Sequence, residues 1–206
     1  MDATRIGIAG FMGAGKSTCA GFMSERCDAF SGRARIVDAD AEAKLLMQGN
    51  EVIKRNLVET FGPAIISAGA LVFAELGEAA FGSAENLNAL NGIVHPALVK
   101  ALEEKVFVKG GPCIVFDAAL IPLWHIEKWF DVLVWVRAPF DKRYERLKNK
   151  TNLPAAKLVA RMELQQALFD EPIKAPWNII ENHGTLEDLK IKSLSCILSQ
   201  REELFP

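Results

Sequence analysis

The sequence has no apolar run that approaches the roughly 18–20 residues of a membrane span. Its opening, MDATRIGIAG, lacks a basic start followed by an apolar stretch and a cleavage site, so no signal peptide is expected. Charge of one sign is also missing. Twenty-four basic residues stand against 26 acidic ones, a net charge of −2, which argues against a whole-surface nucleic-acid binder. Cysteine is scarce and scattered at Cys19, Cys27, Cys113 and Cys196. None forms a Cys-x-x-Cys pair or has a histidine nearby. This excludes a disulfide framework or a zinc knuckle and leaves reduced, small apolar residues in a cytoplasmic protein. There is no repeat, no low-complexity tract and no evident flexible linker.

What is present is a soluble globular balance, with 50% hydrophobic and 24% charged residues in 206. That length suggests one domain with room for inserts, and it buries roughly 70% of the surface its unfolded form exposes. Residues 5–10 read as a short apolar strand ending in glycine, followed by a helix over 16–25. Residues 34–38 (ARIVD), 113–117 (CIVFD) and 132–136 (VLVWV) are further strands. The last two are continuous apolar runs of the kind covered on both faces. Residues 177–181 (WNIIE) are a weaker fifth strand. Helical patterns lie between the strands, including 98–106, 140–149 and 186 to about 204. Alternation of this kind implies α/β architecture with a mostly parallel sheet. The stretch 39–111 is far longer than a crossover needs. It reads as a helical insert broken at Gly49, Gly62, Gly69 and Gly82, able to form one wall of a cleft.

Gly10-Phe11-Met12-Gly13-Ala14-Gly15-Lys16-Ser17 fits G-x-x-x-x-G-K-[ST], with a strand before it and a helix after it. A chance match in a chain of this size has odds of roughly one in a hundred. The glycines let the main chain curl so that successive N–H groups point inward at phosphate oxygens, and the helix presents its positive end to the same anion. Gly13, Ala14, Gly15, Lys16, Ser17 and Thr18 are therefore the expected ATP-phosphate residues. Lys16 would reach the β- and γ-phosphates, and the Ser17 hydroxyl would coordinate Mg²⁺. The strand Cys113-Ile114-Val115-Phe116-Asp117 ends in an acid that would hold the same Mg²⁺, directly or through water.

Transfer to an acceptor hydroxyl needs a group beside that hydroxyl to orient it or take its proton. Ligands of open α/β sheets bind outside the strand carboxyl ends, where Val37-Asp38-Ala39-Asp40 places two acids. Asp40 is the preferred base. The plainer role for either acid is to cap the next helix. A basic lid is the second expected feature. Six basic residues (Arg137, Lys142, Arg143, Arg146, Lys148, Lys150) fall in 137–150 against two acids, and Lys157 and Arg161 follow. Cations closing over ATP would stabilise transition-state charge and exclude water, with Arg146 and Arg161 favoured.

Several of these pieces together resemble the dephospho-CoA kinase family: GFMGAGKST at 10–18, VDAD at 37–40, Phe61-Gly62, the spaced Gly69, Leu76 and Phe81, and Leu90-Asn91-Gly92-Ile93-Val94-His95-Pro96. Further on come Pro139 to Arg146, Arg161-Met162-Glu163-Leu164-Gln165 and Ile179-Ile180-Glu181-Asn182-His183-Gly184. The phosphate loop is shared by many families. The Leu-Asn-x-Ile-x-His-Pro element and the Arg-x-x-x-Gln spacing are more particular. The resemblance implies a three-layer α/β/α P-loop fold with a five-stranded parallel sheet. It implies a core over about 1–40, 111–145 and 170–206, a helical CoA-substrate insert over about 41–110, and a lid over about 146–169. It also implies that ATP, with Mg²⁺, phosphorylates the ribose 3′-hydroxyl of dephospho-CoA in the last step of CoA synthesis, with no nucleic-acid or membrane partner.

By motif position, Asp40 is the presumed catalytic base and a substrate contact, and Lys16 and Arg146 are catalytic cations. His95 and Arg161 contact substrate, and Asn182 lies where the chain approaches the adenine. Pro is also favoured at the first position of a helix, a reading in which His95 merely precedes it. The chain departs from the family pattern at Ala9-Gly10-Phe11, where the family commonly has Thr-Gly-Gly. It departs again at Leu123 after the third strand, at Phe73 where an Arg is frequent, and at Trp177 where an Asp is frequent. The loop also looks like that of shikimate kinase, but Asp117 is followed by Ala118-Ala119-Leu120 and not by the glycine run of that family. The alternatives are thus another small-molecule kinase such as shikimate kinase, and a nucleotide-binding regulator without turnover.

Overall fold

The computed structural model describes residues 4–108, 113–171 and 176–198. The expected end of the insert at 109–111 and the expected last helical stretch, 199–204, lie outside the described residues. The order of elements is β1 (Arg5–Ala9), α1 (Lys16–Ser31), β2 (Ala34–Asp38), α2 (Ala39–Gly49), α3 (Glu51–Phe61), β3 (Ile66–Ser67), β4 (Ala70–Leu71), α4 (Phe73–Ala80), α5 (Ala84–Val106), β5 (Cys113–Asp117), α6 (Ile121–Trp124), β6 (Val132–Arg137), α7 (Phe140–Lys148), α8 (Ala155–Gln166), β7 (Trp177–Glu181) and α9 (Leu186–Leu198).

Two compact units follow the chain. The described residues up to Asp38 and from Lys105 onward form one, and Ala39–Glu104 form the other. The first contains a five-stranded parallel sheet in the order β2-β5-β1-β6-β7. The central position of β1 explains its composition. Ile6 and Ile8 are fully buried, as is the whole of β5, because helices cover both sheet faces. The edge strand β2 instead leaves Ile36 partly exposed. One core cluster joins Ile6, Ile8, Val115, Val134 and Val136 of the sheet to Cys19, Met23 and Cys27 of α1 and to Leu189 and Ile197 of α9. None of the four cysteines forms a disulfide. No described helix is long and apolar enough to cross a membrane.

The second unit is helical, with one addition. Ile66–Ser67 and Ala70–Leu71 pair antiparallel as a small hairpin, turning through Ala68 and Gly69, both at positive φ. The helix expected over 98–106 starts much earlier, at Ala84, and Pro96 lies inside it. The sequence reading of Pro96 as a first helical residue is thus corrected. Pro96 removes one N–H, which would have bonded the carbonyl of Gly92. Both residues are exposed, so solvent can satisfy that carbonyl. The helix after the glycine-rich loop also exceeds its expected end at 25. It continues to Ser31, where Gly32 at φ 69° closes it by donating its N–H to the Asp28 carbonyl.

Candidate active site

The loop between β1 and α1 is built by three glycines at positive φ, Gly10 (146°), Gly13 (77°) and Gly15 (104°). At Gly10 the need is steric as well, since a Cβ would overlap the Val136 carbonyl. The Ala14 N–H donates to the Phe11 carbonyl at 3.1 Å and tightens the curl. Beyond Gly15, α1 begins with Lys16 and carries no acid in its first turn, so no side chain of its own neutralises the positive helix end.

The loop is braced by α7 and by the residue after β7. Arg146, in the last turn of α7, donates to the carbonyls of Gly13 (3.2 Å), Ala14 (3.3 Å) and Asn182 (2.9 Å), and to Asn182 Oδ1 (3.3 Å). The buried Asn182, just past β7, donates its Nδ2 to the Ala14 carbonyl at 2.6 Å. These bonds fix the Gly13 and Ala14 carbonyls, so side chains from α7 and from the end of β7 set the shape of the loop. Burial pushes the Arg146 guanidinium below its ordinary pKa. An arginine is nonetheless always protonated in a protein, so it remains a fixed cation.

On the open side lies a cavity of about 320 Å³, lined by Gly13, Gly15, Lys16, Ser17, Thr18, Arg146, Lys150 and Asn182 together with Thr185 and Leu186. Among the described residues no carboxylate pairs with Lys16. Charged wall, free lysine and uncompensated helix end make this a site for a polyanion. At its edge the Ser17 hydroxyl donates to Asp117 Oδ2 at 2.6 Å, and Asp117 is only 6% exposed. Two hard oxygens this close suit Mg²⁺, which takes one or two protein ligands and completes its shell with phosphate and water. Among the described residues no cluster of three or more His, Cys, Asp or Glu could hold a metal by itself.

The remaining expected residues fall as follows. Asp38 stands in register with Asp117 at the carboxyl end of the sheet. Asp40 is two residues further on, exposed, in the first turn of α2. His95 is partly buried on α5 of the second unit, and burial lowers its pKa from 6.5 to about 4, so it is neutral at neutral pH. Arg161 is partly buried on α8. The structure therefore brings Gly13 to Thr18, Arg146, Asn182 and Asp117 into one site, while Asp40 and His95 belong to the other unit.

Three residues that the sequence named take contacts that it did not assign to them. Gln165, at the end of α8, accepts the Met12 N–H at 2.6 Å. Arg143, 3% exposed, donates to the Ala138 carbonyl (3.2 Å) and to Gln166 Oε1 (2.9 Å). Phe11, 6% exposed, turns away from the cavity and packs between Trp135 and Phe169. For Gln165 the motif spacing was visible, but nothing in it named a partner in the loop.

A parallel five-stranded sheet with a phosphate loop after its central strand, an acid on the neighbouring strand and a basic pair of helices following β6 defines a P-loop kinase. The dephospho-CoA kinase family model matches residues 4–188, and the chain belongs to that family. A dephospho-CoA kinase of Salinibacter ruber is 34% identical over 194 residues, 92% of this chain and 94% of that protein. One of Deinococcus radiodurans is 32% identical over 201 residues, covering 96% and 92%. Among solved structures, the crystal structure of TT1252 from Thermus thermophilus superposes with a TM-score of 0.72 at 27% identity, covering 97% of this chain and 98% of that one.

Proposed function

We propose that this kinase moves the γ-phosphoryl group of ATP to the ribose 3′-hydroxyl of dephospho-CoA in line, with Asp40 as the base. The 3′-oxygen bonds to the γ-phosphorus, the bond to the β–γ bridging oxygen breaks, the hydroxyl proton passes to the Asp40 carboxylate, and ADP leaves. The amides of Gly13 and of Gly15 to Thr18, with the Lys16 ammonium, hold the β- and γ-phosphates, while the Ala14 amide closes the loop on the Phe11 carbonyl. Arg146 braces the loop and, with Arg161 of the lid, places positive charge where it develops in the transition state. Asn182 and the residues after it flank the adenine. Ser17 and Asp117 would hold Mg²⁺, which would supply neutralisation of the phosphate charge. The unit Ala39–Glu104, with His95, recognises the rest of dephospho-CoA. We place the reaction in the cytoplasm, in keeping with four cysteines of which none forms a disulfide.

The observation that carries this reading is the Ser17–Asp117 contact at 2.6 Å, set at the rim of a cavity walled by the loop and Lys16. The test is acceptor-dependent ADP release. Dephospho-CoA should stimulate it and shikimate should not. Asp40→Asn should lower kcat at least ~100-fold while ATP still binds, the scale of lost general-base help. Stimulation by shikimate, or tight ATP binding with no acceptor-dependent ADP, would replace the reading. Near-wild-type turnover in Asp40→Asn would remove Asp40 from the role.

A further inference from the structure

The front half of the phosphate loop is held by the two helices after β6. The Phe11 ring lies under the Arg143 guanidinium of α7, 5.3 Å from its centre. The Met12 N–H donates to Gln165 Oε1 of α8 at 2.6 Å. Arg143 also donates to Gln166, the neighbour of Gln165, at 2.9 Å, which ties α7 to the same end of α8. α8 therefore ends on the loop backbone, 153 residues away in sequence.

Arg161 precedes Gln165 by four residues on α8, one helical turn along the same face. Whatever fixes Gln165 fixes the rotation and axial position of the turn that carries Arg161. A helix bonded to the loop at Met12 cannot slide or rotate without breaking that bond. Release of the bond frees the Met12 amide and lets the turn that carries Arg161 shift in register. We infer that Gln165 is a positioning residue for phosphoryl transfer. Its side-chain carbonyl registers α8 on the Met12 amide, so that Arg161 is aimed relative to the phosphates by the loop that binds them. The inference rests on the lid role given to Arg161 above. It adds that the lid and the loop are set by one hydrogen bond.

A misplacement of about 1 Å at a reacting centre costs up to ~100-fold in rate. Gln165→Met keeps the side-chain length and removes the acceptor. It should lower kcat at least ~10-fold with KM for ATP changed under about threefold, the mark of an interaction used in the transition state. Gln165→Glu keeps an acceptor at the same reach and should hold kcat within about threefold of wild type. In an Arg161→Ala background, Gln165→Met should cost little more, because the residue it aims is gone. Wild-type kcat in Gln165→Met, an equal loss in Gln165→Glu, or a full additional loss on top of Arg161→Ala overturns the inference. Hydrogen exchange on the unaltered chain gives a reading that needs no variant. The Met12 amide should exchange more slowly than an exposed loop amide, and exchange at the exposed rate overturns the inference. Wild-type turnover in Arg161→Ala alone would instead sink the lid reading, and this proposal with it, and is recognised in that single variant.

Discussion

Asn182 offers the sharpest quantitative test of how the phosphate loop is held. Its Nδ2 gives the Ala14 carbonyl a bond of 2.6 Å inside a side chain only 6% exposed. Its Oδ1 accepts from Arg146 at a weaker 3.3 Å. Asn182→Ala removes both. The Ala14 carbonyl is not orphaned, because Arg146 Nη1 still reaches it at 3.3 Å, and Arg146 Nη2 keeps the Asn182 main-chain oxygen at 2.9 Å. The desolvation penalty of an unpaired buried group is thus avoided. What remains is about 1–2 kcal/mol for one good bond and one poor one. In a chain of this size each kcal/mol moves Tm by about 2–4 °C, so thermal unfolding should fall by roughly 2–8 °C. If the loop amides are aligned through the Ala14 carbonyl, a similar energy is lost from ATP binding, about 5–30-fold in Kd by titration calorimetry. Asn182→Asp keeps the shape but turns a carboxylate oxygen onto the same carbonyl and adds negative charge to the cavity wall. ATP affinity should therefore rank wild type, then Ala, then Asp. An Asp variant that binds ATP as well as the Ala variant, or an Ala variant with unchanged Tm and Kd, refutes the bracing argument.

Gly15→Ala meets two obstacles at once, a φ of 104° and a Cβ that would overlap the Asn182 amide. Backbone strain alone is about 1–3 kcal/mol, and calorimetry should show ATP affinity weakened at least ~10-fold, where an unchanged Kd would contradict the loop geometry. His95 gives a pH signature. Burial lowers its pKa from 6.5 to about 4, so below about pH 6.5 the unfolded chain takes up a proton that the folded chain refuses. Its cost to stability is absent above that pH and grows as pH falls toward 4. Allowing for its partial exposure, it should reach about 1 kcal/mol at pH 5. Urea titrations should find that His95→Gln loses less stability than wild type between pH 7.5 and 5, and parallel losses would refute the assignment.

The strands were legible because each is a short apolar run bounded by turn residues. Residues 34–38, 113–117 and 177–181 were read with the limits that the structure gives to β2, β5 and β7. The hairpin of β3 and β4 was not. Strands of two residues carry no alternation, and its only signal was Gly69. Nor was the start of α5, because a proline inside a pattern reads as a beginning. Only the exposure of Pro96 explains why the helix tolerates it. The phosphate loop was legible since its chemistry lies within eight consecutive residues. Its supports were not. Arg146 meets Ala14 across 132 residues and Gln165 meets Met12 across 153, distances that no local pattern encodes.

Phe11 shows how a bulky residue in a phosphate loop leaves the site open. A ring at that position would obstruct a triphosphate if it faced the cavity. It faces the sheet instead. It stacks on Phe169 (centroids 5.6 Å, 26°) and meets Trp135 edge-on (5.2 Å, 89°), while the guanidinium of Arg143 lies over it. Trp135 in turn meets Trp177 edge-on at 6.0 Å and donates its indole N–H to Glu171 at 2.6 Å. Phe11 and Trp177 are therefore joined through one buried indole on β6. Aromatic pairs of this kind contribute about 0.5–1.5 kcal/mol each beyond their buried area. The cluster thus stabilises the loop from the side opposite the phosphates. Phe11 is thus taken up by this packing, and Lys16 and Ser17 line the cavity.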